Sequence, residues 1–258
     1  MNNLKVSFIQ SDLHWENPVE NRSQFSKKIQ TISDEIDLIV LPEMFTTGFT
    51  MNASEAAEPH KGISFQWMQD QAKLKNAAIT GSLIIEEDGN FYNRLYFVFP
   101  DGSFEQYDKR HTFTLAGEHE VFKSGNERIV VAYKGWRICP LICYDLRFPV
   151  WARNTSDYDL LIYCANWPKK RITAWDALLK ARAIENMSYC IGVNRVGLDG
   201  NGHEYTGHSA AYDVLGERFE NPFFESDGIS TVALDMDQLV ATRAHLQFLS
   251  DRDRFTLE

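Results

Sequence analysis

The chain has 258 residues, 44% hydrophobic and 24% charged, which is enough apolar material for one large core. Its net charge of −10 argues against nucleic-acid binding, which calls for a basic face or stripe. No run approaches the roughly 20 apolar residues of a membrane span, and MNNLKVSFIQ lacks the pattern of a secretory leader, so a cytoplasmic protein acting on a small molecule is expected.

Leu4 to Gln10 alternates and predicts a first strand, and Phe25, Ile29 and Ile32 predict a helix from Pro18 to Ile32. Leu38 to Leu41 is continuously apolar, the pattern of a strand buried on both faces, and Pro42 stops it. Glu43 follows, beside Met44 and Phe45, where a buried carboxylate is costly without a partner or a task. Thr46 to His60 has no period and reads as a rim loop, whereas Ser64 to Lys75 reads as a helix. Ala77 to Ile85 and Phe91 to Phe99 predict a hairpin across Glu87-Asp88-Gly89-Asn90. Ser103 to Tyr107 returns as a strand ending at Asp108-Lys109-Arg110-His111, and on spacing alone Lys109 reads as a surface lysine.

Thr112 to Asn126 reads as a loop holding Glu118 and His119. His111, Glu118 and His119 lack the i,i+4 ligand spacing of a helical metal motif, so no metal is expected. Arg128 to Tyr133 and Trp136 to Ile142 predict a hairpin leading to Cys143, and Asp145 to Asn154 a helix with Pro149 near its first turn. A cysteine at a strand-to-helix turn would feel the positive helix end, which lowers its pKa. The N–H groups after it would also face the attacked carbonyl as an oxyanion hole. Cys139, Cys164 and Cys190 read as core residues.

Asp159 to Ala165 predicts a buried strand ending at Asn166-Trp167-Pro168, and Arg171 to Met187 a long helix. Ser188 to Val196 reads as a strand, Gly197 to Gly207 as a glycine-rich loop without a dinucleotide fingerprint. Ser209 to Asp213, Glu217 to Phe219 and Ile229 to Leu234 read as strands, and Met236 to Thr242 as a short helix. Hairpins interleaved with strand–helix units predict an α/β fold of mixed sheets with helices outside, in one domain over residues 1–258.

Three candidate groups, Glu43, Lys109 and Cys143, thus lie just beyond three strand ends. LPEMF, YDKRH and ICYDLRFP, in this order, resemble the Glu, Lys and Cys motifs of the nitrilase superfamily of carbon–nitrogen hydrolases. VSFIQ, ANWP, ARAIEN, GHSAAYDVLGE and FLSDRDRF extend the resemblance over nearly the whole chain. It implies a four-layer αββα sandwich, no cofactor, and homodimers or larger homo-oligomers with the tail from about residue 245 at the interface.

The resemblance also implies roles. Cys143 is the expected nucleophile, Glu43 the base, and Lys109, with the Tyr144 N–H, the oxyanion stabiliser. Glu118 is expected to orient the lysine, with Glu120 as an alternative alignment. YDKRHTF, CYDLRFPVWARN, ANWP and NRVGLDGNG most resemble bacterial omega-amidases, which implies a 2-oxo dicarboxylate amide as substrate. Asn166 and Trp167 are expected pocket walls. The substrate carboxylate needs a cation; Arg195 is the first choice, with Arg110 and Lys169-Lys170-Arg171 as alternatives, and Arg147 is expected to be structural. Other readings are a related amidase, carbamoylase or nitrilase, a Cys–His amidase using His111 or His208, and a non-catalytic interaction protein.

Overall fold

Strand periodicity decides how the layers stack. In the computed structural model, which describes residues 3–222 and 224–256, Leu4, Val6 and Phe8 of the strand Asn3–Gln10 enter one apolar core and Ile9 another. Leu38 and Val40 join the first, Ile39 and Leu41 the second, and the pairs Ala78/Ile79 and Leu95/Tyr96 divide the same way. Side chains alternate across a strand, so a sheet apolar on both faces needs a cover on each. On one side the helices Pro18–Thr31 and Ile63–Lys75 supply it through Phe25, Ile29, Phe65 and Met68. On the other lies a second sheet, whose Ile138, Leu160 and Ile162 share the first core. The helix Ile172–Asn186 covers that sheet through Trp175, Leu179 and Ala183. Gly192 permits this contact, because a Cβ there would meet Leu179 Cδ1 at 2.4 Å. The layers are those of the expected αββα sandwich.

The first sheet runs in the order Gly228–Asp235, Asn3–Gln10, Leu38–Val40, Ala78–Glu87, Asn90–Val98, Phe104–Asp108, with Glu58–Pro59 also paired to Ala78–Glu87. The second runs Ala210–Tyr212, Tyr189–Val193, Leu160–Cys164, Trp136–Ile142, Val131–Tyr133. Each has parallel central strands and antiparallel flanks. Parallel strands deliver their C-terminal ends to one side of a sheet, and Glu43, Cys143 and Asn166 all follow such ends. Lys109 comes from the edge strand Phe104–Asp108, two antiparallel steps from Ala78–Glu87, so it emerges on the same side as Glu43.

Several segments differ from the sequence expectation. Asp145 to Asn154 is not one helix: a 3-10 turn, Cys143–Arg147, is followed by a single helical turn, Pro149–Ala152. The residue before a proline is disfavoured in helical backbone, and Phe148 accordingly sits at φ −112°, ψ 89°. Within the expected glycine-rich loop, Val196–Leu198 and Glu204–Thr206 form a hairpin. Glu217 to Phe219 makes only an isolated bridge, Arg218 to Tyr212. The last helix extends over Met236–Leu246, started by the Asp235 side chain, which accepts from the Asp237 and Gln238 N–H groups. Among the described residues no helix is long and apolar enough to cross a membrane.

Candidate active site

Glu43 is delivered by a tight turn after Leu38–Val40. Met44 has left-handed backbone (φ +42°), and its N–H donates to Ser82 Oγ at 2.8 Å, which turns the Glu43 carboxylate into the interior. Lys109 is fixed through its backbone: its N–H donates to Asn93 O at 3.0 Å, and its carbonyl accepts from Gly125 N at 2.9 Å. Its ammonium lies 2.8 Å from Glu43 Oε1 and 2.9 Å from each Glu118 oxygen. The surface-lysine reading from spacing is therefore corrected, since Lys109 is buried between two buried glutamates. Glu118 opens a short helix, Glu118–Val121, and also accepts from the Phe113 N–H, whereas Glu120 is exposed.

Burial opposes the charge of Lys109, but Glu118 and Glu43 outweigh it and hold the ammonium pKa above its ordinary value. Burial also raises the Glu118 carboxyl, with Lys109 lowering it and Glu43 raising it further. Asn93, overlooked in the sequence, joins the set: its amide donates to Glu43 Oε1 at 2.8 Å and Glu118 Oε1 at 3.2 Å. Its one signal is a carboxamide buried in the interior of the strand Asn90–Val98.

Cys143 sits where Trp136–Ile142 breaks into the 3-10 turn, with φ +42°. A non-glycine residue held there carries backbone strain, which its surroundings must impose. Asp145 does so. Fully buried, it accepts from Ile142 N at 3.1 Å, Tyr107 Oη at 2.7 Å and His111 N at 3.1 Å, and the His111 ring lies 2.8 Å away. One carboxylate thus ties the strand before the nucleophile to the segment after Lys109. Tyr144 is the second residue of the turn, so its N–H has no partner within it.

The expected lowering of the thiol pKa is corrected. No long helix follows Cys143, and burial followed by the Glu43 charge raises its pKa well above the ordinary value, with Lys109 only partly opposing. The thiol donates to the Asn166 carbonyl at 3.9 Å, and burial with the neighbouring Glu43 charge favours its protonated form. Alkylation of Cys143 by iodoacetamide is therefore expected to climb about tenfold per pH unit from about pH 6 to about pH 9. A plateau near neutrality would show a stabilised thiolate instead. The other three cysteines are fully buried, with thiol pKa values pushed up by burial, and should not compete.

A cavity of about 370 Å³ opens on Cys143 and Lys109. Tyr144, Asn166 and Trp167 line it, as do Phe49 and Tyr205, which sequence reasoning missed. Asn166 also fixes Glu43: its backbone N–H donates to Glu43 Oε2 at 2.9 Å and its amide to the Glu43 carbonyl at 2.6 Å. Arg195 does not line the cavity. Its guanidinium is fully buried, pairs with Asp12 at 2.8 Å, donates to the Val196 and Leu198 carbonyls, and stacks on Tyr205. The substrate-binding expectation for Arg195 thus gives way to a structural placement behind the wall, for which burial lowers its pKa. Arg110 lies over Trp151 and outside the lining, and Lys169 pairs with Glu204. Arg147, expected to be structural, does line the cavity, as do Lys170 and Arg171. His111 and His208 are outside the lining, held against Asp145 and Asp176.

A family model described as carbon-nitrogen hydrolase matches residues 6–244. The chain belongs to the carbon–nitrogen hydrolase family. It is 44% identical to "Omega-amidase YafV" of Yersinia enterocolitica over 257 residues, all of both chains. It is 31% identical to "2-oxoglutaramate amidase" of Bacillus subtilis, covering 95% of this chain and 96% of that one. Among solved structures it resembles a superfamily protein from Xanthomonas campestris that has an arsenic adduct in the active site, with 40% identity, a TM-score of 0.97 and full coverage of both chains. It is thus an enzyme of the family whose chemistry is carbon–nitrogen bond hydrolysis.

Proposed function

We propose that the protein is an omega-amidase, hydrolysing the terminal amide of 2-oxoglutaramate or 2-oxosuccinamate to the 2-oxo dicarboxylate and ammonia. The full-length likeness to omega-amidases supports the substrate class. The observation that carries the mechanism is Lys109, buried between Glu43 and Glu118 and lining the same cavity as Cys143.

Cys143 attacks the amide carbon as its proton passes to Glu43, so no free thiolate is needed beforehand. Negative charge develops on the carbonyl oxygen and is met by the Lys109 ammonium and the Tyr144 N–H, both fixed before the reaction. Glu43 then gives the proton to the departing nitrogen, the C–N bond breaks, and ammonia leaves a thioester on Cys143. Water attacks the thioester with its proton going to Glu43. Collapse breaks the C–S bond, frees the carboxylic acid and returns the Glu43 proton to sulfur. Glu118 touches no reacting atom in this scheme; it positions Lys109. Asn166 holds Glu43 at the angle from which it serves both halves.

Ammonia release from 2-oxoglutaramate, beside glutamine, a simple aliphatic nitrile and a carbamoyl amino acid, tests this reading, with Cys143→Ala as control. Turnover of the 2-oxo amide, lost in the variant, supports it. Turnover of the nitrile or the carbamoyl compound instead would retain the nucleophile and discard the substrate. The proposal includes a cytoplasmic homodimer joined near the tail, where Phe248 and Phe255 are 57% and 42% exposed. A monomer in sedimentation would remove that part.

A further inference from the structure

The cavity carries more positive charge than the chemistry uses. Lys109 is neutralised by Glu43 and Glu118, yet Arg147 and Arg171 also line the wall in a protein of net charge −10. Neither guanidinium has an ion pair or a side-chain hydrogen bond among the described residues. This contrasts with Arg94, Arg182, Arg195 and Arg243, each of which is paired with a carboxylate. Both are nevertheless held. The Arg147 guanidinium carbon lies 4.8 Å from the Trp167 ring centroid, and that of Arg171 lies 4.8 Å from the Phe113 centroid. An aromatic face steadies a guanidinium while leaving its edge N–H groups free. The acidic group of the lining, Asp199, is already engaged by the Asn201 and His203 N–H groups and the Tyr205 hydroxyl, at 2.9 Å each.

We propose that Arg147 and Arg171 form an anion clamp, taking the carboxylate of the substrate while its amide carbon rests against Cys143. The inference rests on the omega-amidase reading and deepens it. Planar guanidinium forks match a carboxylate in geometry as well as charge. Arg147 closes the same 3-10 turn that Cys143 opens, so one rigid element sets the spacing between the nucleophile and one side of the clamp. Arg171 precedes the helix Ile172–Asn186, and its carbonyl accepts from Trp167 Nε1 at 2.8 Å. The ring beneath Arg147 is thereby tied to the backbone of Arg171, and the two guanidiniums are positioned as a unit. Glutamine carries an ammonium beside its carboxylate, and two arginines facing that end would disfavour it against the 2-oxo acid.

The test is the ratio of kcat/KM for 2-oxoglutaramate to that for pentanamide, an amide of equal chain length without the carboxylate. Arg147→Gln and Arg171→Gln are each expected to lower this ratio by about 10- to 100-fold, mainly through KM for the charged substrate. Arg171→Lys and Arg147→Lys, which keep the charge and lose the fork, should fall between. Lys169→Gln, changed at an ammonium already paired with Glu204 outside the lining, should leave the ratio where it is. Unchanged ratios in both glutamine variants would overturn the clamp. A second readout separates this from failure of the activity: protection of Cys143 from iodoacetamide by 2-oxoglutarate. If the wild type does not hydrolyse 2-oxoglutaramate but is protected, and the arginine variants are not, the activity reading falls and the clamp stands. Equal protection of wild type and variants overturns it.

Discussion

Glu43→Gln is expected to lower kcat on 2-oxoglutaramate by about 100- to 10,000-fold, the usual worth of a positioned proton carrier. The exchange is nearly isosteric, so the cavity keeps its shape, but the carboxylate has two acceptor oxygens and the carboxamide one. Oε1 takes hydrogen bonds from Lys109 and Asn93, and Oε2 takes one from the Asn166 N–H. Whichever way the amide is turned, its NH₂ faces a donor, at a cost of about 1–3 kcal/mol for the unsatisfied group. The thiol then has no base, and burial alone keeps it protonated. The measurement is kcat and KM beside a melting curve, with His111→Ala and His208→Ala in parallel. His111 is stacked on Phe148 and bound to Asp145, and His208 faces Asp176 and Glu225, so neither is placed to take the Cys143 proton. If Glu43→Gln kept activity within about tenfold of wild type while a histidine variant lost more than the typical general-base factor, the base would be the histidine.

How far the sequence could be read depended on whether a signal was periodic or geometric. The buried strand Leu38–Val40 and the run from Ile138 to Ile142 before Cys143 are written in apolar residues, and the layers follow from the alternation of Leu4, Val6 and Phe8 against Ile9. The site was legible mainly through family motifs: spacing made Lys109 a surface residue, because nothing local records that Glu43 and Glu118 will close on it. Arg195 shows the opposite failure. Its position near the end of its expected strand suggested the pocket, but Asp12, remote in sequence, draws the guanidinium behind the wall. Arg147 was expected to hold the helix after Cys143, but the cavity it lines is made by Asn166-Trp167 and the Glu204–Thr206 hairpin, which no pattern around Arg147 encodes. The thiol was misjudged because a strand-to-helix turn implies a helix dipole, whereas Pro149 cuts that helix to a single turn and burial decides the pKa.

Lys109→Met is expected to damage stability and catalysis together, and pH can separate them. Removing one member of a buried ion cluster leaves the others uncompensated, which costs about 3–5 kcal/mol. Glu43 and Glu118 would then share only the Asn93 amide as a common donor, as like charges on two buried side chains. In the wild type, burial and Glu43 already raise the Glu118 carboxyl above 4.5 while Lys109 holds it down; deleting the lysine removes the restraint. A carboxyl whose folded pKa exceeds its unfolded value favours folding fully below the unfolded pKa, and that contribution is lost as pH rises through the folded value. The deficit of the variant should therefore be smallest near about pH 4.5 and grow as pH rises, as read from urea midpoints in acid and at about pH 8. Adding Glu118→Gln removes the repulsion, and Lys109→Met/Glu118→Gln should regain stability at the higher pH. It should not regain activity, because loss of an oxyanion stabiliser alone is worth about 100- to 1,000-fold in kcat. A Lys109→Met protein as stable as wild type at every pH would show that the three charges are not coupled as their distances require. A double variant that recovered turnover would take Lys109 out of the chemistry and leave it only as the counter-ion of two buried carboxylates.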